Sequence, residues 1–288
     1  MNDIRARRSV LYVPATNGKA MAKSGELAAD AIIYDLEDSV APSAKAEARA
    51  ALVAYFGSNP GSGKERVIRV NGSATEWGAA DLQAAIACRP DAVLFPKVET
   101  AGQLVAARAA LDASAVKIGL WAMIETPLGL VNIREIAALA RQPGVRLDCF
   151  VAGTNDIAKE TGLKIPEGRA TMLLWLAQVI LHAKAFGIDV IDGVYNDFRD
   201  IDGFNAECRQ AVRMGFDGKT LIHPGQIEPA NLAFSPDAAT IEDARAIIDA
   251  FAQPENAGKG VLSINGRMVE LLHADMAKRV LRKAGVSV

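Results

Sequence analysis

Residues 92–123 read AVLFPKVETAGQLVAARAALDASAVKIGLWAM, and this stretch decides the fold class. It holds two continuous apolar runs, Ala92–Phe95 and Lys117–Met123, on either side of a helical pattern at Gln103–Leu111. A short apolar run without polar alternation is typical of a strand that is buried on both faces. Strand, helix and strand at this spacing therefore indicate a β-α-β unit, with two parallel strands and a right-handed crossover.

The same unit recurs along the chain. Six further runs predict buried strands: Val10–Val13, Ala31–Tyr34, Val67–Val70, Leu147–Ala152, Ile188–Ile191 and Thr220–Ile222. Helical patterns lie between the runs, among them Asp81–Cys88, Ile133–Ala140, Thr171–Phe186 and Phe204–Met214. Eight strands over residues 9–234 leave about 28 residues for each unit, which predicts an α/β fold of the (β/α)8 TIM barrel type.

The main competitor is a doubly wound open sheet. That fold would place a glycine-rich fingerprint after its first strand. The chain reads Pro14-Ala15-Thr16-Asn17-Gly18 there, which lacks the fingerprint. The sequence therefore favours the barrel.

The chain changes character at residue 235. Ser235-Pro236-Asp237 is a break signal, and the segment beyond it predicts a helix at Ile241–Ala252, a strand at Val261–Ile264 and a helix at Met268–Lys283. We assign residues 1–234 to a barrel domain and residues 235–288 to a C-terminal helical segment, which is too small to bury a core alone.

Composition excludes several classes of protein. The 288 residues are 50% hydrophobic and carry a net charge of −2, so nothing supports a general nucleic-acid or membrane-surface role. The cysteines Cys88, Cys149 and Cys208 are far apart and form no CxxC pair, which argues against a disulfide framework or a thiolate zinc site. With no apolar run near the ~18 residues of a membrane span, we expect a cytoplasmic protein.

Charged side chains follow almost every predicted strand. In a barrel these positions meet at one rim, where chemistry is carried out. They include Glu37, Arg69, Lys97, Glu125, Asp156 and Asp192. Carboxylates crowded together repel one another, and a hard divalent cation relieves the repulsion, with Mg²⁺ first and Mn²⁺ second. Glu125 and Asp156 are the best pair of ligands, because they are 31 residues apart and so follow adjacent strands.

Arg69 is the natural partner of that pair, because a guanidinium can bind a substrate carboxylate in bidentate fashion. Metal and arginine together suit a small 2-oxo or 2-hydroxy acid, with carbon–carbon lyase or aldolase chemistry through an enolate.

Other interpretations remain open: a rim salt bridge for Arg69, helix capping for Glu125 and Asp156, and a Schiff-base role for Lys97. Glu37 either supports the metal or fixes Arg69, whereas Asp35 and Asp38 are interpreted as structural, Asp38 pairing with Lys45 or Arg49.

Seven motifs occur in order along the chain: Arg8–Pro14 (RSVLYVP), Asp35–Val40 (DLEDSV), Arg69-Val70-Asn71, Phe95–Glu99 (FPKVE), Ile124-Glu125-Thr126, Gly153–Ala158 (GTNDIA), and Gly215–Lys219 followed by Ile222-His223-Pro224. With them the chain resembles the citrate lyase β-subunit-like branch of the HpcH/HpaI aldolase superfamily, which includes relatives of malyl-CoA and citramalyl-CoA lyases. The resemblance extends over nearly the whole chain.

The resemblance implies a barrel with a C-terminal lid, assembled as a homotrimer or a hexamer. It implies that Glu125 and Asp156 hold Mg²⁺ and that Arg69 and Glu125 hold the substrate. We expect Glu37 to have a role in the same active site. The implied reaction is retro-Claisen cleavage of a 3-hydroxyacyl-CoA thioester, such as malyl-, citramalyl- or citryl-CoA, to an acyl-CoA and a 2-oxo acid.

The resemblance also implies contacts with CoA and a lid residue. Arg8 and Lys19 lie near the position where relatives hold the CoA phosphates and adenine. Gly266-Arg267-Met268-Val269 is followed by Glu270, where many relatives have an aspartate. We therefore expect Glu270 of a neighbouring subunit to act as the acid/base.

Three alternatives to the lyase remain. The first is a thioesterase on the same scaffold, which hydrolyses a malyl-CoA-like ester. The second is a subunit of a citrate lyase complex that acts on an acyl-carrier protein. The third is a class II aldolase that acts on free 2-oxo acids without CoA.

Overall fold

The computed structural model describes residues 5–59, 61, 63–114, 117–164, 167–264, 266–284 and 286. Within them, eight parallel strands pair in chain order and close into a barrel. The strands are β1 (Ser9–Pro14), β2 (Ala31–Asp35), β3 (Glu65–Arg69), β4 (Ala92–Phe95), β5 (Gly119–Ile124), β6 (Leu147–Ala152), β7 (Asp189–Asp192) and β8 (Gly218–Leu221). The predicted (β/α)8 TIM barrel is confirmed.

Helices alternate with the strands. They are α1 (Gly18–Ser24), α2 (Lys45–Ser58), α3 (Gly78–Cys88), α4 (Ala101–Asp112), α5 (Pro127–Val131), α6 (Ile133–Ala138), α7 (Thr154–Thr161), α8 (Leu173–Phe186), α9 (Ile201–Met214) and α10 (Ile227–Phe234). In the part of the chain that is described, none of the helices has the length and apolar character that crossing a bilayer requires.

The barrel interior is packed with apolar side chains. Val10, Ile33, Leu94, Trp121 and Val151 are among the buried residues of this cluster, and Trp121 is completely buried. Interior positions alternate along each strand, as the pleat requires. The continuous apolar runs of the sequence arise because the other strand face is buried under the helices.

Arg7 packs beneath this interior at the amino ends of the strands. Its Nε and Nη2 atoms donate to the two carboxylate oxygens of Glu65, each at 2.7 Å. Its Nη1 atom lies 2.7 Å from Asp189, and the guanidinium carbon is 5.0 Å from the centre of the Trp121 ring. The Arg7 side chain thus connects β3 to β7 and packs against the barrel interior at the amino ends of the strands.

We expect Arg7→Lys to lower the free energy of unfolding by about 1–3 kcal/mol, because an ammonium cannot reproduce the bidentate contact in a buried site. Urea denaturation measures the loss. Arg8→Lys is the matched control: Arg8 also pairs with a carboxylate, Asp30, but it is 31% exposed, so we expect a loss below about 1 kcal/mol. Equal stability of Arg7→Lys and wild type would contradict the assignment.

Residues Arg7–Ala233 form one compact unit, and the described residues from Phe234 onward belong to a second. The second unit contains α11 (Ala238–Ala252), a hairpin of β9 (Val261–Ile264) and β10 (Arg267–Glu270), and α12 (Leu271–Lys283). Its small core includes Ile247, Val269 and Leu281.

One predicted boundary in this unit is wrong. The helix predicted from Met268 begins at Leu271, because Arg267–Glu270 pairs with β9 and buries Val269. Glu270 therefore ends a strand. Its backbone N–H donates to His273 Nδ1 at 2.9 Å.

Candidate active site

A cavity of about 340 Å³ opens at the carboxyl ends of the barrel strands. All its lining residues belong to the barrel unit: Tyr12, Asp35, Asp38, Ser39, Arg69, Met123, Glu125, Ala152, Gly153, Thr154, Asn155, Asp156, Val194, Asn196, Thr220 and Ile222. Predicted site residues Arg69, Glu125 and Asp156 are among them. The barrel thus brings these three side chains to one cavity, as the positions after its strands require.

Arg69 is held from several sides. The register of β2 and β3 sets it opposite Asp35, and its Nε and Nη2 atoms each donate to that carboxylate at 2.7 Å. Its Nη1 atom lies 2.7 Å from Glu37 Oε2, in an ionic contact that is not aligned as a hydrogen bond. The guanidinium carbon is also 4.9 Å from the centre of the Tyr12 ring. Arg69 is therefore fixed before any ligand binds.

The charges around Arg69 set the protonation of its partners. Burial acts to raise the pKa of Asp35, but the Arg69 guanidinium outweighs it and holds that pKa below its usual value. For Glu37 burial prevails over Arg69 and raises the pKa to about 7. Two carboxyl groups on one arginine thus differ in proton affinity.

Glu125 follows β5 and is only 2% exposed. Its Oε1 atom accepts the backbone N–H of Lys97 at 2.7 Å. A side chain at Gly153 would collide with Glu125, so the glycine allows the end of β6 to approach this carboxylate. Burial raises the pKa of Glu125 to about 8, and the nearby carboxylates of Glu37 and Asp156 add to the rise.

Lys97 lies among these acids. Its Nζ atom is 3.6 Å from Glu37 Oε1 and 4.0 Å from Asp156 Oδ1. Its φ of 47° is in the left-handed region, which costs a residue with a Cβ about 1 kcal/mol. Lys97 adopts that conformation where its backbone N–H donates a hydrogen bond to Glu125. Backbone strain of this kind clusters at functional sites. The geometry agrees with a lysine that neutralises the acidic rim.

Carboxyl groups outnumber cations in and around the cavity. The acids are Asp35, Glu37, Asp38, Glu125 and Asp156, and the cations are Arg69 and Lys97. A bound dication would offset this excess. Across the described residues, no three acidic, histidine or cysteine side chains converge as a metal site. The pair Glu125 and Asp156 still fits Mg²⁺, which usually takes one or two protein carboxylates and keeps its other positions for water and substrate.

The structure places other predicted site residues elsewhere. Arg8 precedes β1, at the amino end of the barrel, where its side chain and backbone N–H both bind Asp30. The cavity lies at the other, carboxyl ends of the strands, and the expected contact between Arg8 and substrate stays a prediction. Lys19 is exposed in α1, directly after β1, and its role stays a prediction. Glu270 belongs to the second unit, and its role as acid/base also stays a prediction.

The expected pairing of Asp38 with Lys45 or Arg49 is wrong as well. Lys45 donates to the carbonyl oxygens of Leu36 and Glu37 and to Asn71, and Arg49 binds Asp81. Asp38 instead has an oxygen 3.6 Å from Arg69 Nη1. The buried ammonium of Lys45 thus finds its hydrogen-bond acceptors in the loop before its own helix and at Asn71, and it does not pair with Asp38.

Sequence reasoning missed two features of the site. Tyr12 lines the cavity and its hydroxyl lies 3.9 Å from Met123 Sδ. Lys219 is completely buried in β8 and binds Asp192. The available signal for the second was a lysine directly before the predicted strand Thr220–Ile222, because a lysine that a strand buries requires a charged partner.

Comparison with known proteins agrees with this architecture. The family model described as HpcH/HpaI aldolase/citrate lyase matches residues 8–224. A (3S)-malyl-CoA thioesterase of Cereibacter sphaeroides is 47% identical over 277 residues, covering 96% of this chain and 94% of that protein. The citrate lyase subunit beta of Escherichia coli is 34% identical over 291 residues, covering 98% and 95%.

A solved structure is also similar over most of the chain. It is the protein CitE from Mycobacterium tuberculosis in complex with magnesium, acetoacetate and coenzyme A. That structure matches with a TM-score of 0.78 and 30% identity, covering 98% of this chain and 100% of the solved one.

Proposed function

The chain belongs to the HpcH/HpaI aldolase/citrate lyase family, and we propose that it is a magnesium-dependent hydrolase of a malyl-CoA-like thioester. The observation that carries this proposal is the 47% identity, over 96% of the chain, to a protein named as a (3S)-malyl-CoA thioesterase. Proteins named as citrate lyase β subunits are less similar, at 33–34%. The thioesterase alternative is therefore better supported than the lyase that the sequence first suggested.

The cavity offers the groups that this reaction needs. We assign Mg²⁺ to Glu125 and Asp156, and a substrate oxygen to Arg69. A guanidinium has five N–H donors. Asp35 accepts two of them from Arg69, and Met123 Sδ accepts a third at 3.9 Å, so donors remain for the substrate. When bound, magnesium supplies polarisation of a substrate oxygen as a Lewis acid.

Hydrolysis also needs a group that accepts a proton from water near neutral pH. Glu37 suits that task, because its pKa of about 7 lets it exchange a proton in this range. Its contacts with Arg69 and Lys97 hold the carboxyl group beside the cavity. We propose Glu37 for proton transfer within the barrel, with Glu270 of a neighbouring subunit as the lid carboxylate of a homotrimer or hexamer.

The second candidate is the carbon–carbon lyase. The citrate lyase β subunits that match over 98% of the chain favour it. A CitE structure with oxaloacetate and magnesium also matches, at 30% identity, so that protein binds a 2-oxo acid in this scaffold. Both candidates use the same metal, thioester and arginine. They differ in whether water attacks the thioester carbonyl or the bond between the α carbon and the hydroxyl-bearing β carbon breaks.

Product analysis separates the two candidates. Purified protein with Mg²⁺ and malyl-CoA, incubated in ¹⁸O-labelled water, is expected to release free CoA and malate that carries one ¹⁸O atom in its new carboxyl group. EDTA is expected to stop the release. Acetyl-CoA and glyoxylate as the only products would contradict the hydrolase and support the lyase, and mass spectrometry distinguishes all four compounds.

A further inference from the structure

A cluster of four charged side chains, three of them buried and the fourth, Glu207, 16% exposed, lies beside the cavity wall. Lys219 in β8 and Asp192 at the end of β7 are both completely buried, and Lys219 Nζ lies 2.8 Å from Asp192 Oδ2. Glu207 of α9 lies 2.7 Å from the same ammonium. Arg169, which is 3% exposed, donates to Asp192 Oδ1 at 2.7 Å. The cluster joins β7, β8, α9 and the turn that precedes α8.

Stability alone is a weak explanation for this cluster. The cluster contains two cations and two carboxylates, so its net charge is zero. Removing such charges from water costs about as much free energy as the attraction between them provides. None of the four side chains lines the cavity, so none of them holds substrate. Buried ion pairs have a better-supported use in fixing one geometry over others.

The geometry that this cluster fixes is the Asp192–Gly193 peptide. Lys219 Nζ donates to the Gly193 carbonyl oxygen at 2.6 Å, and the Gly193 N–H donates to Asp192 Oδ1 at 2.9 Å. Thr220 adds a hydrogen bond from its hydroxyl to the Asp192 carbonyl oxygen at 2.8 Å. The turn after β7 is therefore held at successive backbone atoms.

That turn contacts the helix that carries a proposed metal ligand. A Cβ atom at Gly193 would collide with the hydroxyl of Thr154 and lie 2.7 Å from its methyl carbon, so the backbone of Gly193 packs closely against the Thr154 side chain. Thr154 is the first residue of α7, and Asp156 is in the first turn of that helix. Asn196, three residues after Gly193, exchanges two hydrogen bonds with Asn155 at 2.9 and 3.2 Å.

We propose that Lys219 is a positioning residue, which acts through Asp192 and Gly193 to hold the first turn of α7 and so to set the carboxylate of Asp156 for the cation. The inference rests on the proposed function, in which Asp156 holds Mg²⁺. Lys219 itself touches neither metal nor substrate.

The test uses the double variant Lys219→Met/Glu207→Gln, which removes one charge of each sign and keeps the Arg169–Asp192 pair. We expect it to fold and to bind Mg²⁺ alone about tenfold more weakly than wild type, the range for residues that orient a metal ligand. Titration calorimetry measures the affinity. The matched control is Arg7→Met/Glu65→Gln, which removes a buried pair at the amino ends of the strands and is expected to lose stability but not Mg²⁺ affinity.

The outcomes are distinguishable. A folded Lys219→Met/Glu207→Gln protein with wild-type Mg²⁺ affinity overturns the positioning role and leaves the proposed function intact. Wild-type protein that binds no Mg²⁺ overturns both. Should the double variant not fold, Gly193→Ala decides, because it keeps all four charges while its Cβ atom would collide with Thr154 and with the carbonyl oxygen of Ala152. We expect Gly193→Ala to weaken Mg²⁺ binding and Thr154→Ala to restore part of it, whereas unchanged affinity in Gly193→Ala overturns the proposal.

Discussion

Glu125→Gln is expected to lower Mg²⁺ affinity by more than about a hundredfold and to remove hydrolysis of the thioester. The loss of affinity is expected to exceed the 10–100-fold effect of residues that only orient a metal ligand, because Glu125 is itself proposed as a ligand. The amide oxygen of glutamine can still accept the Lys97 N–H, so the side chain is expected to keep its position. What the variant loses is the negative charge in a site that is 2% exposed. Calorimetric titration with Mg²⁺ and steady-state assays of CoA release measure the two losses.

The stability of the same variant gives an independent check. Without metal we expect Glu125→Gln to unfold at the same temperature as wild type or higher, because a neutral amide costs less to bury than a carboxylate. Adding Mg²⁺ is expected to raise the unfolding temperature of wild type only.

The control for Glu125→Gln is Glu99→Gln, which changes a half-buried carboxyl group in the loop between β4 and α4. Glu99 is not among the residues that line the cavity, so we expect wild-type binding and activity. Metal affinity and activity that both survive in Glu125→Gln would refute the site and leave the barrel unaffected.

The fold was predictable because each strand of a parallel barrel is buried on both faces and so reads as an unbroken apolar run. The same regularity located Glu125 and Asp156, since the residue that follows a barrel strand faces one common rim. Arg69 lay inside the predicted strand Val67–Val70, and the structure shows it as the last residue of β3.

Other parts of the site depend on contacts that a local pattern does not encode. The left-handed backbone of Lys97 accompanies the hydrogen bond from its N–H to Glu125 and has no signature in Pro96-Lys97-Val98. Arg8 stands before β1, at the amino end of the barrel, where it binds Asp30, and the sequence pattern gave no sign of this ion pair. The spacing of Met268, Leu271 and Leu272 fits a helix, although the first of them pairs in a hairpin.

Arg69→Met is expected to lower the free energy of unfolding by about 3–5 kcal/mol at neutral pH, as well as removing activity, because it leaves the buried carboxylate of Asp35 without a cation and leaves Glu37 with Lys97 alone. Asp35 is 1% exposed and Glu37 7% exposed, so neither gains water in compensation. The double variant Asp35→Asn/Arg69→Met removes the bidentate pair together and is expected to be less destabilised than the sum of the single changes by more than about 1 kcal/mol. Urea denaturation of the four proteins gives this coupling, and additive losses would contradict a shared ion pair.

The pH dependence of that loss gives its cause. In wild type Arg69 keeps the pKa of Asp35 below its usual value, so the pair stabilises the fold above the unfolded carboxyl pKa of about 3.9 and the contribution is lost as pH falls toward the folded value. Without Arg69, burial is the largest influence left on the pKa of Asp35 and raises it against the hydrogen bonds from Glu37 and Ser39, so protonation on acidification is expected to relieve the variant. The difference in stability between wild type and Arg69→Met should therefore shrink as the pH is lowered from neutral toward 4. A difference that stayed constant over this range would mean that lost packing against Tyr12, and not the stranded charge, causes the destabilisation.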